Sequence, residues 1–379
     1  MASSIDLDIS FQAYMSSYSA SIGNPRILST HDNDSTPNVA SQRSLAVEFA
    51  LLLESLGVPG PCTFLGINET TRFIGAGAQF SVRAGEVVFD EEFDDAGSPD
   101  FFTAAAKMPK FLLSNEVPLD LSDPEASRQL RHVVLEVMAL HHDRLRGHPN
   151  IVELVGWGFD SSNWHAPPVL ILELADGDLG TALRDGHISG EEQRVELLSG
   201  IANGLDAIHA VGLVHGDLKP ENVLVFRHRD KWVAKLSDFA GGASSFRGAG
   251  LAGRGTVGWR APELRQYHEQ GAELSEAYLG AIDVYAYGLM SWAIFCGYVD
   301  APPYSEDSMS SKIARDDLEK HRNTISSSLF NSIVHIIPAM MSQNAEERPR
   351  KLSNCFHETQ LTAINGILEL VIPGNLSMT

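Results

Sequence analysis

The sequence predicts an α+β chain in two parts, a small β-rich lobe carrying one helix and a larger, mostly helical lobe. Two observations carry this reading. A chain of 379 residues, 44% hydrophobic and 20% charged, is long and apolar enough for two packed lobes at ordinary domain size. From Phe64 to about Leu121, short β-like runs alternate with Gly, Asp and Pro; after "HPNIVELVGWG" and "PVLILELA", which read as two strands, helical spacing dominates.

The elements follow in order. Residues 1–40 are rich in Ser, Asp and Asn without a sustained period and read as a disordered tail. Residues 41–63 read as a helical extension. In it, "SLAVEFALLLESLG" sets Leu45, Phe49, Leu52 and Leu56 on one face, and Gly57, Pro59 and Pro61 stop the helix. The β-like runs contain an acidic insertion, "DEEFDDAGSPD". "SDPEAS" then opens the small lobe's helix, with Asp123 as N-cap and Pro124 at the first helical position. In the larger lobe, "QRVELLSGIANGLDAIHA" repeats Leu198, Ile201, Leu205 and Ile208 at helical spacing before Gly212 closes it.

Charge and cysteine usage exclude several functions. With 28 Lys+Arg against 49 Asp+Glu, the formal charge of −21 repels nucleic-acid phosphates and anionic lipid, so neither nucleic acid nor membrane is an expected partner. Cys62, Cys296 and Cys355 are odd in number and far apart, which indicates neither a disulfide framework nor a zinc cluster and fits a reducing compartment. His141, His142 and His148 have no Cys or acidic partners at ligand spacing and read as ordinary surface or packing residues. "MASSIDLDIS" lacks a signal peptide's basic start and apolar core, and the run around "LMSWAIFCGYV" is too short to span a bilayer. A soluble, cytoplasmic protein is expected.

The chemistry concentrates in "LVHGDLKPENVLV". Asp217 lies in a loop between buried segments, where a carboxylate can accept a proton from an incoming hydroxyl. Lys219 can neutralise a phosphate, and Asn222 can offer an amide oxygen to Mg²⁺. "SDFAGG" follows the strand-like "KWVAKLSDF", and "GTVGWRAPE" comes after it. Together these motifs resemble the catalytic loop, the Asp-Phe-Gly magnesium motif and the Ala-Pro-Glu segment of eukaryotic-type protein kinases.

The resemblance implies a bilobal protein kinase fold over residues 64–372, with an N-lobe of about 64–172, a hinge at 173–175 and a C-lobe of about 176–372. It makes Asp217 the catalytic base, Asn222 and Asp238 the magnesium ligands, and Lys219 a phosphate-stabilising cation. Asp283 of "IDVYAYGLMSW" would steady the catalytic loop, and Glu263 would pair with Arg348 of "EERPR"; both are structural roles. In the small lobe, "IGAGAQFSV" resembles the glycine-rich phosphate loop, with Gly75 and Gly77 in place, Phe80 where the third glycine stands, and Val82 as the residue covering adenine.

For the phosphate-positioning lysine, "TAAAKMPKF" offers Lys107 or Lys110. Ala105 two residues before Lys107 suits a strand close to adenine, whereas Pro109 beside Lys110 lacks a ladder donor, so Lys107 is expected. Its partner is expected to be Glu136, one helix-length before "HPNIV", because the rival Glu125 lies in the first turn, where the helix dipole explains an acid. Backbone groups of Glu173 to Ala175 would bind adenine, with Leu172 at the back of the pocket, Asp178 at the ribose, and Leu224 also among the nucleotide-binding residues.

Three positions depart from the family pattern. Gly216 stands where an arginine is usual, which implies weaker dependence on loop phosphorylation; of the nearby Ser244, Ser245 and Thr256, the last is expected to hydrogen-bond Asp217 and Lys219 instead. Ala240 replaces a glycine and should stiffen the magnesium motif. Phe80 should add bulk over the phosphates. Lys219 and "GTVGW" resemble serine/threonine kinases, so the implied activity is transfer of the γ-phosphoryl of ATP, with Mg²⁺, to Ser or Thr of a protein substrate. The alternative is a pseudokinase acting as a nucleotide-binding scaffold or allosteric module.

Overall fold

The computed structural model describes residues 45–65, 72–76, 80–93, 99–110, 133–160, 168–239, 243–244, 255–270, 279–298, 302–353 and 355. The expectations for residues 1–40, Gly77, Asp123, Pro124, Glu125, Ala240 and Ser245 lie outside the described residues. The chain divides into two units, one of residues up to 146 with 153–174, the other of residues 147–152 with 175 onward.

The first unit begins with α1 (Leu45–Ser55), which buries Phe49, Leu52 and Leu53 and leaves Leu51 exposed. Strands β1 (Cys62–Leu65), β2 (Arg72–Ala76), β3 (Phe80–Phe93), β4 (Pro99–Pro109), β5 (Leu154–Asp160) and β6 (Val169–Glu173) form one sheet in the order β1-β5-β6-β4-β3-β2. The expected short runs are in places long strands. β3, at 14 residues, pairs β2 along its first half, Arg72 opposite Ala84, and β1 along its second, Cys62 opposite Phe89. Cys62 and Thr63, read as part of the extension, are therefore sheet residues. The acidic insertion begins as the end of β3, where Phe93 pairs Pro99 of β4. On one face of the sheet, Phe64, Val87, Ala104, Ala106, Val169 and Ile171 pack a core. Helix α2, residues 133–140, buries Val133, Val134, Leu135, Val137 and Leu140.

The second unit runs through β7 (Gly177–Asp178), α3 (Leu179–Arg184), α4 (Glu191–Ala210), β8 (Leu213–Val214), β9 (Val223–His228), β10 (Lys231–Leu236), β11 (Ala243–Ser244), α5 (Pro262–Gln270), α6 (Leu279–Cys296), α7 (Ser311–Lys320) and α8 (Ser327–Met340). In α4 the four residues expected at helical spacing, Leu198, Ile201, Leu205 and Ile208, are all fully buried. Helix α6 is apolar on every side, the mark of a helix covered all round. At 18 residues it is long and apolar enough by length and composition to cross a membrane, unlike the shorter run read from the sequence, and 89% of it is buried within the protein.

Residues 147–152 dock onto this unit as a turn. Asn150 donates its side-chain amide to the Ala234 carbonyl at 2.9 Å, and its own carbonyl accepts from Leu236 N–H at 2.9 Å. A Cβ on Gly200 would stand 2.6 Å from Asn150 Nδ2, and one on Gly204 2.7 Å from the Asn150 carbonyl oxygen, so the close approach explains two glycines inside a helix. "HPNIV", read as strand, contributes only a single bridge of Ile151 with Leu236; β5 starts at Leu154.

Candidate active site

The loop after β8 is bent by Gly216, whose φ of +74° lies in the left-handed region that glycine enters without a Cβ penalty. Asp283, at the buried start of α6, holds that bend. One of its oxygens accepts from the Gly216 N–H at 2.8 Å; the other accepts from the His215 N–H and from His209 Nε2, both at 2.8 Å. Burial alone would raise the Asp283 carboxyl, but the His209 hydrogen bond, the His209 and His215 charges and the Gly216 N–H outweigh it and hold the group below its ordinary value. His215 Nε2 donates to the Ser237 carbonyl at 3.0 Å, tying the loop to the end of β10.

The bend delivers Asp217 to Thr256. One Asp217 oxygen, Oδ1, accepts from both the Thr256 N–H (2.7 Å) and its hydroxyl (2.8 Å), and that hydroxyl accepts from Lys219 Nζ at 2.7 Å. Asn222 Nδ2 donates to the Asp217 carbonyl at 2.8 Å and to Oδ2 at 3.3 Å, while Lys219 Nζ stands 3.6 Å from Oδ2. Two short bonds thus occupy Oδ1, and Oδ2, with only long contacts, is the oxygen left to meet a hydroxyl. Thr256 takes the expected place beside Asp217 and Lys219.

The hairpin of β9 and β10 brings the next pair together. Val223 is paired with Leu236, and the Asn222 carbonyl accepts from Ser237 N–H at 3.0 Å, so Asn222 and Asp238 stand at the same hairpin end. Because the Asn222 amide N–H₂ is spent on Asp217, its carbonyl oxygen is the atom free to face a cation. Asp238, at φ +62°, is one of two described non-glycine residues in the left-handed region. An amide oxygen and a carboxylate are hard donors that fit Mg²⁺, which commonly takes one or two carboxylates and completes its shell with phosphates and water. Among the described residues no group of three or more His, Cys, Asp or Glu could hold a metal on protein donors alone.

In the first unit, the sheet register sets Gly75, Val82, Lys107 and Leu170 in one row across β2, β3, β4 and β6. Ala105 and Leu172, paired one step along, share that face and are nearly buried. Of the two candidate lysines, Lys107 meets Glu136 of α2, Nζ to Oε1 at 2.5 Å, with side chains only 8% and 1% exposed. Phe80 is buried, and its ring lies over Lys107 Nζ at 4.1 Å to the centroid. The reason is register: Phe80 is opposite Pro109, a diagonal neighbour of Lys107 on the same face, within reach of an aromatic ring.

The remaining expected residues are engaged locally. Glu173 ends β6 and accepts from the Glu153 N–H at 2.8 Å. Asp178, expected at a ribose, caps α3, its two oxygens accepting from the Thr181 N–H (2.9 Å) and hydroxyl (2.7 Å). Leu224 pairs with Asp178 in the β7–β9 ladder, and Ala175 is half-buried. His142 and His148 accept from nearby backbone N–H groups through Nδ1, and burial lowers the pKa of His141, His142 and His148. The Cys296 thiol is pushed up to about 12, chiefly by burial.

Glu306 escaped the sequence reading. It accepts from the Gly258 N–H (2.6 Å) and pairs with Arg260 (2.8 Å), clamping the segment that carries Thr256. No motif marks it, because it lies 50 residues from Thr256 in an ordinary loop. Glu263 pairs with Arg348 through two bonds of 2.6 and 2.8 Å, as expected.

Comparison with known proteins finds a match to the family described as "Protein kinase domain" over residues 120–359. Calcium-dependent protein kinase 17 of Arabidopsis thaliana is 31% identical over 236 residues, 60% of this chain and 38% of that protein. Calcium-dependent protein kinase 12 of the same plant is 30% identical over 224 residues, 57% of the chain and 41% of that protein. Calcium/calmodulin-dependent protein kinase type 1B of Rattus norvegicus is 29% identical over 228 residues, 58% of the chain and 59% of that protein. The chain thus spans between 38% and 59% of the length of these relatives. The family match begins after β4, so it does not cover Lys107, whose ion pair with Glu136 is seen in the structure alone.

Proposed function

The chain belongs to the protein kinase family, and from that premise we propose that it transfers the γ-phosphoryl group of ATP to serine or threonine hydroxyls of proteins. The observation that carries this is the arrangement around Asp217: one oxygen fixed by Thr256, the other left to meet a hydroxyl, with an ammonium 3.6 Å away. The new bond joins the acceptor oxygen to the γ-phosphorus, the bond from that phosphorus to the departing ADP oxygen breaks, and the hydroxyl proton passes to Asp217 Oδ2. Lys219 offsets charge on the phosphoryl oxygens. Lys107, held by Glu136, steadies the α and β phosphates.

Asn222 and Asp238 would hold Mg²⁺, which when bound neutralises phosphate charge. Gly75, Val82, Ala105 and Leu172 would contact the nucleotide, as would backbone groups of Glu173 and Ala175. Lys219 and "GTVGW", which resemble the serine/threonine pattern of the family, support the choice of hydroxyl, and the relatives are named as protein kinases, so a protein substrate is the proposed partner.

A second reading is favoured by one observation. The ring of Phe80 over Lys107 would suit a domain that keeps the fold but engages nucleotide weakly and acts as a scaffold. Phosphate transfer from radiolabelled MgATP to a generic basic protein and to the chain itself separates the two. The enzyme reading expects transfer by the wild type and none by Asp217→Asn or Lys107→Met; a folded wild type that binds nucleotide and transfers nothing supports the scaffold.

A further inference from the structure

Lys107 is enclosed on two sides, by a carboxylate and by an aromatic ring. Its side chain is 8% exposed; Glu136 Oε1 holds it at 2.5 Å, and the Phe80 ring, itself 4% exposed, lies 4.1 Å from Nζ. An ammonium against the face of a buried ring gains cation–π attraction that strengthens as water is excluded. The contact is built by the sheet. Phe80 and Val82 project to one face of β3, Val82 is directly opposite Lys107, and Phe80 reaches it along the diagonal.

We infer that Phe80 is a built-in cover on Lys107, which a nucleotide phosphate must displace, and that this residue sets the chain's nucleotide affinity. The inference rests on the kinase reading above and refines it. A phosphate and the ring compete for the same cation: the ring supplies a diffuse negative face, the phosphate a formal charge with hydrogen-bond acceptors. The cover keeps the Lys107–Glu136 pair dry and formed without ligand, and nucleotide entry requires the Phe80 side chain to leave a buried position. Tight binding is therefore reduced by the strength of the contact, about twofold to thirtyfold.

The test uses the full chain as wild type, Phe80→Gly and Phe80→Leu, each checked for a cooperative thermal transition. Nucleotide-free protein is exposed to a small amine-acylating reagent and acylation of Lys107 is followed by peptide mass spectrometry; MgADP affinity is measured by calorimetry on the same preparations. The expected result is faster acylation of Lys107 in Phe80→Gly, an intermediate rate in Phe80→Leu, which keeps bulk but has no π face, and MgADP affinity rising in the same order by about twofold to thirtyfold. If Phe80→Gly does not fold, Phe80→Leu decides, with at least a twofold gain in both readouts expected. Equal acylation and equal MgADP affinity in all folded forms overturns the cover and leaves the kinase reading standing. MgADP bound by none of them overturns the kinase reading, and the role of Phe80 in it.

Discussion

Thr256 donates twice to one oxygen of Asp217 and accepts from Lys219, so a single hydroxyl orients both charged groups. Thr256 is a positioning residue: Thr256→Ala keeps the backbone donor and loses the hydroxyl, and should lower kcat of phosphate transfer by about tenfold to a hundredfold, the worth of a hydrogen bond to a charged group. Thr256→Ser should restore most of it, a rescue that a merely structural role for the methyl group would not give. Gly216 has a role separate from the arginine it replaces. At φ +74° it lets the His215 and Gly216 N–H groups reach Asp283 together. Gly216→Ala should cost about 1–2 kcal/mol of stability, read from the denaturant midpoint. That Asp217, Lys219 and Asn222 share one loop was legible from their spacing of two and three residues. The placement of Phe80 was not, because a diagonal contact across β3 and β4 depends on a register that one sequence does not display.

Helix α4 was legible from its period, since Leu198, Ile201, Leu205 and Ile208 all face inward. Its glycines were not, because their reason is the Asn150 turn of residues 147–152 pressed against the helix. Gly204→Ala should destabilise by about 1–3 kcal/mol through overpacking against that carbonyl, visible as a lower thermal midpoint. The length of β3 was hidden by Asp90, Glu91 and Glu92, residues depleted in strands that are nevertheless carried as strand at the far end of the β3–β4 hairpin. Among the contacts that anchor α5, Arg348 binds Glu263 twice and also donates to the Ala281 and Ser342 carbonyls. Arg348→Met, which leaves Glu263 unpaired, should cost about 3–5 kcal/mol.

Over the whole molecule, acid should unfold the chain partly through two named carboxylates. Burial raises Glu306, but the Arg260 hydrogen bond and charge and the Gly258 and Arg260 N–H groups outweigh it, and Asp283 is likewise held low. A depressed folded value contributes stability that is present above the unfolded value and lost as pH falls through the folded one. Stability should therefore be lost as pH drops below the ordinary values of 4.5 for Glu306 and 3.8 for Asp283, and Glu306→Gln should flatten the upper part of that loss in denaturant midpoints measured against pH. At this scale the α+β order of a β-rich first part and a helical second part was legible from where strand-like runs give way to helical spacing. Membership in the protein kinase family was legible from four motifs in sequence order. The central claim, that the Asp217 loop works with glycine beside its carboxylate, is tested most directly by phosphate transfer under saturating MgATP, with MgADP binding measured on the same preparations of wild type and Asp217→Asn. The prediction is a fall of about 10²–10⁴-fold in transfer with nucleotide binding retained; equal transfer by the two proteins would contradict it.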